Sequence, residues 1–354
     1  MTVSKTVWTP DNSFLLEYHA RIECGEIIVG RELWLELERL KEDLLTDAYI
    51  YDTKDALLRM DFMENCVRLT KSPYYNKPMI LMLWQKAFIE AVYSFKMARD
   101  YVERKAIIDR FKKILLLIAR KNTKSETCSG LGLSEFITGN PGADIVCSSN
   151  DDNQASLTYD AIDTMRLLID PDGIDTHRNQ RYILNRATNT KIFKLSDKTK
   201  NKEGRNIDWA VVDEVHEMKT NVIVKSIEQS QSLKENPKLI LITTEGFVDG
   251  GFLDDELKKA RAIIKGEDDS ISAQRYLPWL YTQDSENEIF TDPNTWYKSN
   301  PTLGIVKKWD YLTEQVDAAK KNKADRIFVL SKDFNIKQNG GEAWLNLEDY
   351  NYVA

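Results

Sequence analysis

"LLLIARKNTKSETCS", residues 115–129, is the stretch that decides the fold. An apolar run reading as a buried strand breaks into Arg120, Lys121, Asn122, Thr123, Lys124 and Ser125, and a helix-like segment follows. A Lys-Ser pair directly after a strand is how a phosphate-binding loop ends: backbone N–H groups and the lysine face phosphate oxygens, and the hydroxyl faces Mg²⁺. The pattern G-x-x-x-x-G-K-[ST] also requires glycine where this chain has Ile118 and Thr123. Taken alone, the stretch fits a basic surface turn as well.

A second stretch separates the two readings. "WAVVDE", residues 209–214, is an apolar strand ending in Asp213-Glu214, about 90 residues after Lys124. In P-loop NTPases a carboxylate here supports Mg²⁺ and the next one polarises the attacking water. Asp213 and Ser125 are therefore the expected metal residues, and Glu214 the expected water-orienting one. The bland alternative, a solvated helix start, does not account for paired carboxylates closing a buried strand at this distance from the loop. "LILITTEG" ends a further strand in Thr243-Thr244, where a hydroxyl can sense the γ-phosphate, and Thr244 joins the catalytic set. Gln85, in LWQKAFI, lies where several motor ATPases place a glutamine that reads adenine through its amide; an exposed helix glutamine fits equally. The expected nucleotide residues are Gln85 and the run Arg120, Lys121, Asn122, Thr123, Lys124, Ser125 and Glu126, for ATP with Mg²⁺.

The rest of the chain bounds this reading. Its 354 residues carry 49 basic and 56 acidic side chains, a net charge of −7. That balance does not describe a protein that coats DNA unaided, and it leaves room for a local patch, partners or a ring of copies. No apolar run of about 18 residues predicts a membrane span. MTVSKTVWTPDNSF lacks the features of a signal peptide, and the four cysteines have no C-x-x-C spacing. The expected location is the cytoplasm. Residues 31–68 read as helices, and MILMLWQKAFIEAVYSF as another. KILLLIA (113–119), ADIVCSS (143–149), WAVVDE and KLILITT (238–244) read as strands alternating with helices, and RYILNRATNTKIFKLS (181–196) as a hairpin. The pattern predicts an α/β, RecA/ASCE-like P-loop fold: a mostly parallel sheet flanked by helices. His19, His177 and His216 show no metal spacing. Trp279, Trp296 and Trp344 read as packing residues.

As a set, these motifs resemble the large terminase subunit of tailed bacteriophages and prophages, the ATP-driven motor that packages DNA into a procapsid. The family's R-K-N-G-K-[ST] loop corresponds to residues 120–125, its glutamine motif to Leu83-Trp84-Gln85, and its acidic strand end to Val211-Val212-Asp213-Glu214. Its coupling motif corresponds to Thr243-Thr244-Glu245-Gly246, with glutamate where many relatives have alanine. Trp296-Tyr297-Lys298-Ser299-Asn300-Pro301 is similar to a W-x-x-x-N-P segment, and Trp344-Leu345 to one that precedes a nuclease. The resemblance spans roughly residues 30–350. It implies an ATPase working on double-stranded DNA with a small terminase subunit and a portal protein, as a homo-oligomeric ring or as a monomer in isolation, and away from membranes.

Two departures qualify it. Thr123 replaces the glycine that lets the loop close on phosphate, so a degenerate P-loop binding module without turnover is one rival. The chain stops where the nuclease of relatives typically begins, so the expectation is an ATPase portion without nuclease activity. The expected division is an N-terminal helical region (1–70), an ATPase core (71–283) and a lid or linker segment (284–354). A superfamily 2 helicase or translocase, suggested by Asp213-Glu214-Val215-His216, is the second rival; it needs a second RecA-like domain, and no further strand–helix alternation follows Thr243. Ring ATPases use an arginine from a neighbouring subunit, and some family members carry it shortly upstream of these carboxylates. Arg205, nine residues before Glu214, is the candidate, with Arg178, Arg181 and Arg186 as alternatives.

Overall fold

A computed structural model describes residues 7–46, 49–101, 104–195 and 205–338. The chain enters through helices α1 (Phe14–Glu23) and α2 (Arg31–Leu45), a short strand β1 (Ile50–Tyr51), and helices α3 (Lys54–Cys66) and α4 (Leu83–Ser94). Strands β2 (Phe95–Tyr101) and β3 (Arg104–Asp109) then pair antiparallel and form a small sheet with β1. Charge-rich FKMARDYVERKAIID gave no sign of this hairpin in the sequence.

The central sheet starts at β4 (Lys113–Leu117), followed by α5 (Lys124–Thr138), β5 (Asp144–Ser149) and α6 (Asp152–Ile169). The chain continues through β6 (Thr176–Arg178), β7 (Tyr182–Asn185), β8 (Lys191–Leu195), β9 (Ile207–Asp213), α7 (Val222–Ser230), β10 (Lys238–Thr243), α8 (Phe252–Ile264), α9 (Ile271–Gln274) and β11 (Tyr276–Leu280). The strand order is β11-β4-β10-β9-β5-β8-β7-β6. The first six strands are parallel; β7 runs antiparallel to β8 as the predicted hairpin. β11 was not apparent in the sequence because Pro278 interrupts it. A proline lacks the ladder donor and is tolerated on an edge strand, which is where β11 lies.

Both faces of the sheet are covered, which is why its strands read as continuous apolar runs rather than alternating ones. Ile114, Leu116, Trp209, Val211, Ile240, Ile242 and Trp279 share one core with α1–α6, including Leu15, Leu37, Met63 and Phe88. The alternate residues Leu115, Leu117, Ala210, Val212, Leu239 and Leu241 pack on the other face against α7 and α8. The N-terminal helices thus share the sheet's core. Helices α10 (Glu286–Thr291), α11 (Trp309–Lys321) and α12 (Lys323–Phe334) form a lid around a third core that includes Trp296, Leu312, Val316, Leu330 and Phe334. Trp279 and Trp296 are buried packing residues; Trp344-Leu345 lies outside the described residues. Among the described residues no helix is long and apolar enough to cross a membrane.

One glycine sets how closely α5 approaches the sheet. A Cβ at Gly132 would lie 3.0 Å from Ile162 Cδ1 and 3.3 Å from the Trp209 ring. Gly132→Val therefore overfills the contact between the loop-bearing helix and β9. The expected result is a loss of about 1–3 kcal/mol in unfolding free energy by denaturant titration; an unchanged midpoint would show that the contact is not close-packed.

Candidate functional site

Because β4, β10 and β9 are adjacent and parallel, their carboxyl ends bring three separate sequence motifs together. β4 runs into the loop 118–123, and α5 begins at Lys124 with its unpaired first-turn N–H groups turned back toward that loop. β9 delivers Asp213 and Glu214. β10, lying between them, delivers Thr243.

The loop and the carboxylates meet directly. Lys124 Nζ lies 2.9 Å from Glu214 Oε1 and 3.9 Å from Asp213 Oδ1. The Ser125 hydroxyl donates to Asp213 Oδ2 at 2.7 Å, and the Thr158 hydroxyl lies 3.5 Å from the same oxygen. Ser125 and Asp213 thus present two hard oxygen donors side by side, a set that would suit Mg²⁺. His216 reaches Glu214 Oε2 through Nδ1 at 3.1 Å, and the same nitrogen lies 3.1 Å from the Thr243 hydroxyl. Gly246 makes room for this arrangement, since a Cβ there would fall 2.7 Å from His216.

These contacts push the two carboxyls apart. Burial raises the Asp213 pKa, only partly offset by Lys124, and the Glu214 charge beside it raises it further. Burial acts on Glu214 in the same sense, but the His216 hydrogen bond and the Lys124 charge prevail and hold it well below the usual carboxylate range. Burial also opposes the Lys124 charge, yet Asp213 and Glu214 outweigh it and raise that pKa. Glu214 is therefore firmly ionised, which suits it to fix a water by accepting its hydrogen bond more than to act as a strong base.

The backbone is strained at the same place. Six non-glycine residues among those described have positive φ, and three of them are asparagines, the residue type that tolerates it. The other three are Lys121 (φ 65°), Thr123 (φ 62°) and Glu214 (φ 53°), all within this site. Each such residue costs about 1–3 kcal/mol, a cost that persists where the surroundings fix the conformation. Thr123 thus adopts by force the left-handed conformation that glycine takes freely.

The remaining predicted residues divide. The Gln85 amide is fully engaged at the loop: Nε2 donates to Thr127 Oγ1 at 2.6 Å and Thr123 Oγ1 at 3.3 Å, while Oε1 accepts from the Met82 N–H at 2.7 Å. It is buried, so it is neither an exposed glutamine nor an amide presented for adenine. Glu126 accepts the Thr70 N–H at 2.9 Å and tethers the preceding loop. The Arg120 guanidinium lies over the Phe328 ring of the lid, 5.1 Å from its centroid, and Asn122 is buried against the lid. The Thr244 hydroxyl turns to the Glu245 carbonyl at 3.1 Å, so Thr243 is the hydroxyl connected to Glu214. Arg205 stands before β9, at the opposite end of the sheet from Glu214, with its guanidinium 4.0 Å from the Phe193 ring centroid. Within one chain it does not reach the site. Arg186 follows β7 at that same far end, whereas Arg178 and Arg181 flank the β6–β7 turn at the carboxyl end. Arg178 is paired with Asp160 and Asp163.

His216, which shows no metal spacing in the sequence, and Lys332, which the sequence does not single out, both lie at this end of the sheet. The Lys332 ammonium donates to the Glu245 carbonyl at 2.9 Å. Burial brings its pKa down to about 8, against the attraction of Glu214, Glu217 and Glu245. The only sequence signal for His216 was its place two residues after Glu214, and Lys332 carried none.

The depressed Glu214 pKa fixes a pH dependence. A carboxyl whose folded pKa lies below its unfolded value, about 4.3, adds stability above that value and loses it as pH falls through the folded pKa. Wild type is therefore expected to exceed Glu214→Gln in unfolding free energy at pH 7, with the gap narrowing below about pH 4. A gap independent of pH would contradict an ionised, stabilising Glu214.

Comparison with known proteins agrees with the fold. The family model of the terminase large subunit ATPase domain matches residues 84–262, half of the chain. That of the terminase large subunit endonuclease domain matches residues 270–354. The second match overturns the expectation that the nuclease part is missing, and with it the expectation of a chain without nuclease activity. It begins well before the Trp344-Leu345 segment from which the nuclease was expected to start, and includes β11 and the lid. Two curated relatives are the large terminase subunit of Enterobacteria phage HK97, 23% identical over 271 residues (73% of this chain, 48% of that protein), and Protein YmfN of Escherichia coli strain K12, 29% identical over 146 residues (41% and 31%). The crystal structure of the HK97 large terminase superposes with a TM-score of 0.65 at 21% identity, covering 80% of this chain and 55% of that one. The chain spans about half or less of the length of these relatives. By its ATPase-domain match, its sheet and its motifs, the chain belongs to the terminase large subunit family.

Proposed function

We propose that this chain hydrolyses ATP at the loop 118–125 and, within a longer or assembled machine, drives double-stranded DNA into a procapsid in the host cytoplasm. The observation that carries the reading is the convergence of Lys124 with Glu214 and of Ser125 with Asp213, at 2.9 and 2.7 Å. In this reading the β- and γ-phosphates lie at the α5 N-terminus, where N–H groups and the helix dipole favour anions. Lys124 turns from Glu214 to the phosphate oxygens. Ser125 and Asp213 would hold Mg²⁺, which would supply positive charge against that of the phosphates. Glu214, kept ionised and oriented by His216, accepts a hydrogen bond from the attacking water. Thr243, bonded to His216 and to the Thr244 carbonyl at 2.7 Å, connects that carboxylate to the coupling segment 243–246.

Glu245 passes this connection to the lid. Its N–H donates to Asn335 Oδ1 at 3.0 Å, and its carbonyl accepts from Lys332. A cation from a neighbouring copy completes the site, with Arg205, or Arg178 and Arg181 at the β6–β7 turn, as its source; such arginines contribute about 10³–10⁵ in rate. DNA, the small terminase subunit and the portal protein are the proposed partners, from family membership. The helicase alternative is weaker because, among the described residues after Leu280, there is no strand from which to build a second RecA-like sheet.

Two substitutions separate binding from turnover. Lys124→Ala is expected to weaken ATP binding roughly ten- to hundredfold, from the loss of charge-assisted hydrogen bonds. Glu214→Gln is expected to bind ATP and to stall, measured as Mg²⁺-dependent phosphate release with and without double-stranded DNA. Wild-type turnover in either folded variant would refute the assignment. ATP binding by wild type without turnover, DNA present, would favour the degenerate binding module.

A further inference from the structure

Among the described residues, five hydrogen bonds join the loop to the lid. The Ala119 N–H donates to the Ser299 carbonyl at 3.3 Å, and the Arg120 N–H to the Lys332 carbonyl at 3.1 Å. Asn122 Nδ2 donates to Asn300 Oδ1 at 3.0 Å. The Thr302 N–H and hydroxyl both donate to Asn122 Oδ1, at 3.2 and 2.8 Å. Asn122, Asn300 and Thr302 are all fully buried.

Asn300 is itself immobilised. Its Nδ2 donates to the Trp296 and Asp333 carbonyls at 3.1 and 2.9 Å. Its Oδ1 also receives the Lys307 ammonium at 2.7 Å, and that ammonium is paired with Asp333 at 2.8 Å. Lys307 and Asp333 expose 1% and 0% of their side chains, so the ion pair is held in the lid's interior, where the low dielectric strengthens the hydrogen bonds it makes. The loop held by this network carries two non-glycine residues at positive φ, Lys121 and Thr123. Such residues leave the left-handed region unless neighbouring structure holds them.

We infer that Asn300 is a positioning residue for phosphate binding. The lid, docked through Asn300, Thr302 and Asn122, holds Thr123 in the conformation a glycine would adopt unaided, and so stands in for the missing glycine. The effect on nucleotide rests on the reading of loop 118–125 as the ATP site; the effect on loop conformation does not. Lid docking and phosphate affinity are then one coupled equilibrium. The coupling weakens when residue 123 no longer needs holding.

The test uses the full chain with Asn300→Ala and Thr302→Val, each alone and combined with Thr123→Gly. Hydrogen exchange of a peptide covering residues 118–126 is measured without nucleotide, and affinity is measured for a fluorescent ATP analogue with Mg²⁺. Asn300→Ala is expected to speed exchange in that peptide and to weaken the analogue about tenfold, and Thr302→Val to do so less. Adding Thr123→Gly is expected to restore affinity to within about threefold of wild type, because neighbouring residues that share one strain are not additive. Unchanged loop exchange, or a loss of affinity that Thr123→Gly does not restore, overturns the inference: the network then stabilises only the lid. Should Asn300→Ala fail to fold, Thr302→Val, which keeps the side chain's shape, decides by the same criteria. A wild-type chain that does not bind the analogue refutes the ATP reading, while loop exchange still decides the latch.

Discussion

The pairing of Lys124 with Glu214 is the interaction on which the site depends. It joins the first residue of α5 to the end of β9 across the intervening strand β10. The pair is only partly exposed, at 11% and 27% of its side chains, so removing one partner leaves the other's charge less well compensated. The pair therefore needs a third party to exchange with, and a phosphate brought to the helix N-terminus is a chemically suitable one. Asp213, beside it, is pushed toward protonation, while Glu214 is held ionised by His216 and Lys124. Two adjacent carboxyls thus differ in their readiness to ionise through environment alone.

The same site concentrates the backbone strain. Lys121, Thr123 and Glu214 are its three positive-φ residues, and the last two are each held from outside their own segment. Gln85 reaches Thr123 from α4, the lid docks on Asn122, and His216 with Lys124 hold Glu214. Glycine would make the loop autonomous. Threonine makes its shape conditional on the packing around it, which ties the loop's local conformation to a subdomain far along the chain.

Much of this was legible in the sequence, for definite reasons. The four buried strands were apparent because a sheet covered on both faces needs apolar runs, and the Asn-rich turn marked the β7–β8 hairpin. Lys124, Ser125, Asp213 and Glu214 were legible because strand ends fix where their side chains converge. Thr243 and Thr244 were not distinguishable: neighbouring strand residues face opposite sides, and nothing local states which hydroxyl meets His216. The lid network was hidden because its contacts, such as Asn122 with Asn300 and Thr302, link residues 178 and 180 positions apart. The W-x-x-x-N-P segment marked Asn300 without indicating its partner. The extent of the nuclease match was missed because the β11 residues fell within the expected ATPase core (71–283) and the lid within the expected linker segment (284–354).

The most direct test is a crystal structure of the chain with Mg²⁺ and a non-hydrolysable ATP analogue. The account predicts the terminal phosphates at the α5 N-terminus, with Lys124 Nζ moved from Glu214 to their oxygens and Ser125 and Asp213 beside the cation. A nucleotide bound elsewhere, with the Lys124–Glu214 pair intact, would contradict it.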